Sequence, residues 1–315
     1  MENTNNSTLT KSSIWALLIY TLLSFYIFGI LLASYCITYP HFESVHDNWL
    51  AFMSVYNTKM MIFLKIPSLL WLLSAVSMYF FNSKSFPKWT IYTSVGLTLI
   101  TVLVTLLHVL PLFNAMQSDG FKPETQVDLV TTSVFFQIIP AGIVCLLVLI
   151  FLNIYFQATK PLVRWIFIIV TVLSFYLIGT NTIEALTEYR LWNIVSPADW
   201  LAYRHSNNFG LFIAVYLLPG WLPFLLIIAM IWLRPKGVSV LLPIFFLMLE
   251  IWAAYITATY FIPKAQSPLD LAYSKQILID LIENDNLKRV WVMYILGIIA
   301  SLMFLKTGEN KTLNN

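Results

Sequence analysis

Apolar residues run along this chain in long unbroken stretches, parted by shorter polar ones. Eight such stretches stand out, at residues 14–37, 60–81, 89–112, 132–156, 163–183, 209–233, 238–261 and 290–305. An α-helix needs about 20 apolar residues to cross the hydrocarbon of a bilayer. The last stretch is the shortest, with a start inside a helix from near Ala272 as the alternative. A lipid-facing backbone must satisfy its own hydrogen bonds, which leaves helices or a closed barrel. Barrel strands would alternate over about 10 residues. These runs are continuous and too long for that, so the pattern predicts an all-α, polytopic membrane helical bundle with eight transmembrane helices. The first run exceeds the apolar region of a cleaved signal peptide and reads as a retained helix.

Composition agrees with the pattern. A chain of 315 residues would make about two soluble domains. A hydrophobic share of 59% and a charged share of 10% exclude a soluble enzyme, a disordered chain and a disulfide scaffold. The net charge of +3 comes without a long basic run, so nucleic acid is not an expected partner. The bilayer is. Cys36 and Cys145 both lie in apolar segments and read as buried small hydrophobes.

Charge in the loops predicts orientation. Lys84 and Lys88, Lys160 and Arg164, and Arg234 and Lys236 occupy short loops without acidic residues. The positive-inside rule makes these loops cytoplasmic, and both termini with them, in keeping with Lys11, Lys306 and Lys311. The remaining connections, 41–59, 113–131, 184–208 and 264–289, are then external or periplasmic. In the last of these, Leu269, Leu271, Ile277, Leu278 and Leu281 keep a helical spacing that suggests an amphipathic helix on the outer face.

The chain also resembles itself. Trp49-Leu50-Ala51-Phe52 recurs as Trp200-Leu201-Ala202-Tyr203, an offset of 151 (200 − 49), and Asn57 and Asn208 keep it. Thr105 and Pro111 recur as Thr257 and Pro263 at 152 (257 − 105). Two four-helix membrane repeats, 1–158 and 159–315, follow. With four spans each they are parallel; inverted repeats need an odd number of spans per copy. Trp49 and Trp200 read as interfacial anchors.

Two stretches, YPHFESVHDNWLAFMSVYN at 39–57 and VTLLHVLPLFNAM at 104–116, resemble the anthrone oxygenase-like family of four-helix membrane proteins. The first matches that family's proline after helix one and its following apolar-Met/Gln-x-x-Asn element. The second matches its Thr…Pro-Leu-Asn element, with Phe113 inserted. The second half keeps Thr257, Pro263 and Asn208 but has Lys264-Ala265-Gln266 in place of Leu-Asn. The resemblance implies oxidation of a reduced aromatic polyketide by dioxygen within the membrane.

Polar residues at membrane depth are costly and often mark function. Glu250 lies mid-span in FFLMLEIWAAY, where the first half has Thr98, and suits a general base or proton carrier. The alternative is a carboxyl paired with Tyr, Ser or Lys inside the bundle. Glu184 ends the fifth span beside Asn181 and Thr182, as part of a polar stripe. Lys65 could snorkel to the interface or act as counter-ion to Glu250 or an anionic ligand. His41, His46, His108 and His205 all fall on the outer side. No spacing typical of metal ligands joins them, and interfacial hydrogen bonding competes with a haem or metal site from His41, His108 and a carboxylate. No phosphate loop, nucleophile elbow or organic-cofactor motif is visible.

The leading expectation is an oxygenase-like redox enzyme acting on a lipophilic aromatic small molecule in the outer half. Glu250, His108 and Glu184 would do the chemistry. Lys65, His41, Asn57, Asn208 and Asn181 would contact the ligand. The alternatives are a non-catalytic subunit of a membrane complex and a proton-coupled carrier.

Overall fold

The computed structural model describes residues 10–82, 85–206 and 209–313, so Lys84 and Asn208 lie outside the described residues. Each expected apolar stretch lies within or overlaps a helix, and all but the sixth of these helices run well beyond it. The eight are α1 (Lys11–Ser44), α2 (Trp49–Phe81), α3 (Lys88–Asp119), α4 (Pro123–Tyr155), α5 (Pro161–Trp192), α6 (Gly210–Met230), α7 (Leu241–Leu271) and α8 (Lys275–Gly308). All but α6 have 31 to 34 residues. At a rise of 1.5 Å per residue that is about 50 Å, well beyond the roughly 30 Å of hydrocarbon.

The surplus turns gather at one end of the bundle, away from the chain ends; this is the distal face. Much of the four expected external connections is therefore helical. The amphipathic stretch expected over 264–289 is the end of α7 and the start of α8, with Leu269, Leu278 and Leu281 buried and Leu271 exposed. A short helix, Trp200–His205, lies between α5 and α6 on the same face.

Each helix widens into a π segment near the depth where its apolar run ends. These segments are Ser34–Thr38, Met61–Lys65, Thr105–Val109, Val134–Ile138, Glu184–Glu188, Ile213–Leu217, Thr257–Gln266 and Asn286–Val290. Proline explains five of them. Pro40, Pro67, Pro111, Pro140 and Pro219 each follow a π segment by two residues. A proline lacks the N–H for the carbonyl four residues back, and its ring crowds that carbonyl. A wider turn relieves the crowding. Two of the freed carbonyls are caught by phenols. Tyr26 donates to Phe63 O at 3.2 Å, four residues before Pro67, and Tyr176 donates to Val215 O at 3.1 Å, four residues before Pro219.

Helices α1 and α5 form the centre. In their most apolar windows 72% and 67% of residues are buried, against 33% in α2 and α3, 17% in α6 and 28% in α7. Around α1 run α2, α3 and α4; around α5 run α6, α7 and α8; α4 and α8 also touch the opposite central helix. The central pair cross through glycines. A Cβ on Gly29 would stand 2.5 Å from Tyr176 O, and one on Gly179 would collide with Tyr26 O, so only glycine lets the backbones meet.

Many contacts of the first half have a partner about 150 residues on. Trp49 Nε1 donates to Met116 O at 2.7 Å; Trp200 Nε1 donates to Leu269 O at 2.7 Å. Trp49 stacks on Phe52 and Trp200 on Tyr203, both at 16°. His108 contacts Asp128, and Tyr260 donates to Asp280. Trp200 is fully buried, not an interfacial anchor, because its indole pins the distal end of α7. Between the halves, Asn48 Nδ2 donates to Ile194 O at 3.2 Å. Asp199 Oδ2 accepts from the His46 and Asp47 N–H groups at 2.9 and 2.8 Å.

Candidate functional site

The π segments of α1 and α5 end on Thr38 and Glu188, and these two side chains meet between the halves. Thr38 Oγ1 donates to Glu188 Oε1 at 2.5 Å. His41 Nδ1 lies 3.3 Å from Glu188 Oε2, and Tyr203 OH donates to the same oxygen at 2.9 Å. Glu188 and His41 are each 1% exposed and Thr38 and Tyr203 0%. A buried carboxylate is costly unless hydrogen-bonded, and here three side chains from α1 and the Trp200–His205 helix satisfy it.

The local sequence explains the placement. Pro40 does not end α1, because the π segment at Ser34–Thr38 absorbs it, and the helix carries His41 one turn past Thr38. Ser34 and Glu184 open the two central π segments, and Thr38 and Glu188 close them. Tyr203 reaches in from the Trp200–His205 helix, held by the Trp200 indole bond. Burial, and then the Glu188 charge, push the Tyr203 phenol well above its usual range, so it stays a donor.

His41 is the open end of this network. A carboxylate beside Nδ1 favours the tautomer with the proton on Nδ1. That leaves the Nε2 lone pair, which is buried and has no hydrogen-bond partner among the described residues. The ring stacks on Tyr203 at 4.0 Å between centroids. Aromatic rings wall the region: Phe52 stands edge-on to Tyr203 at 6.0 Å, and Phe42 edge-on to Tyr56 at 5.3 Å. Tyr56 is within electrostatic reach of Glu188.

A second network lies close by in sequence. Tyr189 OH donates to Glu184 Oε1 at 2.9 Å, and Arg289 donates to Tyr189 OH at 2.6 Å and approaches Glu184 at 3.5 Å.

The residues expected to do chemistry are distributed differently. Glu184 belongs to the second network. Glu250 is 7% exposed in α7, which packs on α6 and α8, and its Oε1 has no hydrogen bond among the described residues. His108 pairs with Asp128 at 3.3 Å, with about half of its side chain exposed. Among the described residues no hydrogen bond or ion pair joins Glu250, His108 and Glu184. Of the expected ligand contacts, His41 is in the centre. Lys65 is half-buried in the π segment of α2, without an ion pair among the described residues. Asn57 donates to Gln117 Oε1 at 2.6 Å and Phe113 O at 3.3 Å, tying α2 to α3. Asn181 turns back onto Leu177 O at 2.8 Å within α5.

Sequence reading missed Glu188, Thr38 and Tyr203. The available signal was the offset: Thr38 and Glu188 differ by 150 (188 − 38), one short of the 151 that relates Trp49 to Trp200. No family model, curated protein or solved structure matches the chain.

Proposed function

We propose that this integral membrane protein is an acid–base redox enzyme of the oxygenase kind, acting on a lipophilic aromatic small molecule, with His41 as its base. One observation carries the reading: a buried imidazole with Nδ1 on a carboxylate and Nε2 free. That is the arrangement by which a carboxylate orients a histidine for proton abstraction. Nε2 takes a proton from an acidic C–H of the substrate, and Glu188 steadies the imidazolium. The carbanion gives its electrons to dioxygen, and overall a CH₂ flanked by aromatic rings becomes C=O with release of water. The aromatic walls around His41 suit a flat aromatic guest. Entry requires the Trp200–His205 helix to lift Tyr203 from the imidazole. The resemblance of 39–57 to the anthrone oxygenase-like family lies over the same stretch, His41 included.

The halves are read as parallel repeats, on the support of the matched indole, phenol and π-segment positions. The basic residues Lys88, Lys160, Arg164, Arg234 and Lys236 lie at the end opposite the distal face, so that end is read as cytoplasmic and the His41 centre as belonging to the outer half.

A second reading has its own support. Thr38 and His41 belong to one half, Glu188 and Tyr203 to the other, as a lock between halves in a non-catalytic subunit would require. A rocking carrier is less well supported, because the Gly29–Gly179 crossing interlocks the two central backbones. The experiment is dioxygen consumption by the purified full chain with a phenolic anthrone. Turnover in wild type that His41→Gln abolishes supports the enzyme. No turnover, with a stability loss in the variant, supports the lock.

A further inference from the structure

On the distal face a cavity of about 190 Å³ opens between the end of α5 and the first turns of α8. Arg190, Asn193, Ile279, Ile282 and Glu283 line it. The two charges have opposite sign, yet no ion pair within 4.0 Å joins them, and neither side chain has a hydrogen bond among the described residues. Asn193 likewise keeps its amide free. Other charges on this face are mixed: Arg204 pairs with Asp270 at 2.7 Å, Arg289 with Glu184 and Lys122 with Asp119, while Glu43, Glu124 and Lys275 have no ion pair among the described residues. Lys59 on α2 lies within electrostatic reach of Arg190 and adds a second positive charge on that side. Ile279 and Ile282 supply the apolar part of its lining.

A ligand that fits such a site carries both signs and a carbon chain. A guanidinium grips a phosphate through paired N–H donors. A carboxylate takes an ammonium. We propose that this cavity binds a zwitterionic phosphate–amine headgroup, with the phosphate on Arg190 and Asn193, the ammonium on Glu283, and the adjoining carbons against Ile279 and Ile282. The cavity is too small for a whole lipid. The acyl chains would remain outside it, along the side of the bundle. The same headgroup chemistry occurs in a phospholipid and in a soluble phosphorylated amino alcohol.

The test is native mass spectrometry of the full chain released from detergent micelles, with equimolar phosphatidylethanolamine and phosphatidylglycerol. Wild type should retain the ethanolamine lipid about fivefold more than the glycerol lipid, a preference of the size expected for one charge-assisted contact. Glu283→Gln should erase the preference while keeping phosphate-dependent binding. Arg190→Gln should reduce retention of both lipids. Both side chains are exposed at the cavity mouth, and an unchanged melting temperature will show that the fold persists. Competition by free O-phosphoethanolamine points to the soluble source; lipid adducts that resist it point to the membrane source. Equal retention of the two lipids by wild type, or wild-type retention in both variants, would overturn the proposal.

Discussion

His41 Nδ1 stands 3.3 Å from Glu188 Oε2, while Thr38, 150 residues before Glu188, donates to the other oxygen of the same carboxylate at 2.5 Å. The contact sits where the two central helices leave their π segments. A single carboxylate therefore fixes an imidazole, a hydroxyl and, through Tyr203, the short distal helix.

Removing that carboxylate should be expensive. Glu188→Ala leaves three buried donors without an acceptor, and breaking a buried charged network by taking one partner costs about 3–5 kcal/mol. Thr38→Val removes one neutral donor and should cost about 1–3 kcal/mol. Unfolding of the purified variants in mixed micelles checks both. A Glu188→Ala protein as stable as wild type would show that the network does not hold the halves.

The glycine crossing makes a sharper steric prediction. Gly29→Ala and Gly179→Ala place a methyl against a backbone carbonyl that cannot rotate away. Each should cost about 1–3 kcal/mol, the usual penalty for overpacking. Gly96→Ala and Gly220→Ala have nothing within 4 Å of the new carbon and should be neutral or slightly stabilising. Thermal melts of the four variants separate the two groups.

Pro67 and Tyr26 should be energetically coupled. The Tyr26 hydroxyl answers the Phe63 carbonyl that Pro67 leaves without a donor. Tyr26→Phe should cost about 1–3 kcal/mol with Pro67 present. It should cost less in Pro67→Ala, where the restored N–H serves that carbonyl. A double-mutant cycle reads the difference directly. The same holds for Tyr176 and Pro219.

The membrane frame was legible in the sequence because hydropathy reports what lipid must solvate. All eight expected spans lie within or overlap the observed helices. Apart from the amphipathic stretch over 264–289, the distal turns were not legible as helix, since their polar residues satisfy water and each other rather than lipid. Pro40 compounded this: a proline just past an apolar run signals a helix end, and only the π segment before it lets α1 continue to His41. Glu250 drew attention because it is isolated among apolar neighbours in one span. Glu188 did not, because it stands in a polar run beside Glu184, and the partners that bury it come from residues 150 and 147 positions away and from Tyr203. Phenols hid for a different reason: Tyr203 and Tyr26 count as aromatic bulk in a hydropathy pattern, while their hydroxyls do the bonding.

The most direct measurement is the rate of dioxygen consumption by the purified full chain with a phenolic anthrone, wild type against His41→Gln. Loss of a general base lowers such a rate by about 10²–10⁴-fold. A loss of that size, in a variant whose melting temperature shows it folded, is the predicted result. A folded His41→Gln protein that turns over at the wild-type rate, or a wild-type protein that consumes no dioxygen with this substrate, would contradict the assignment.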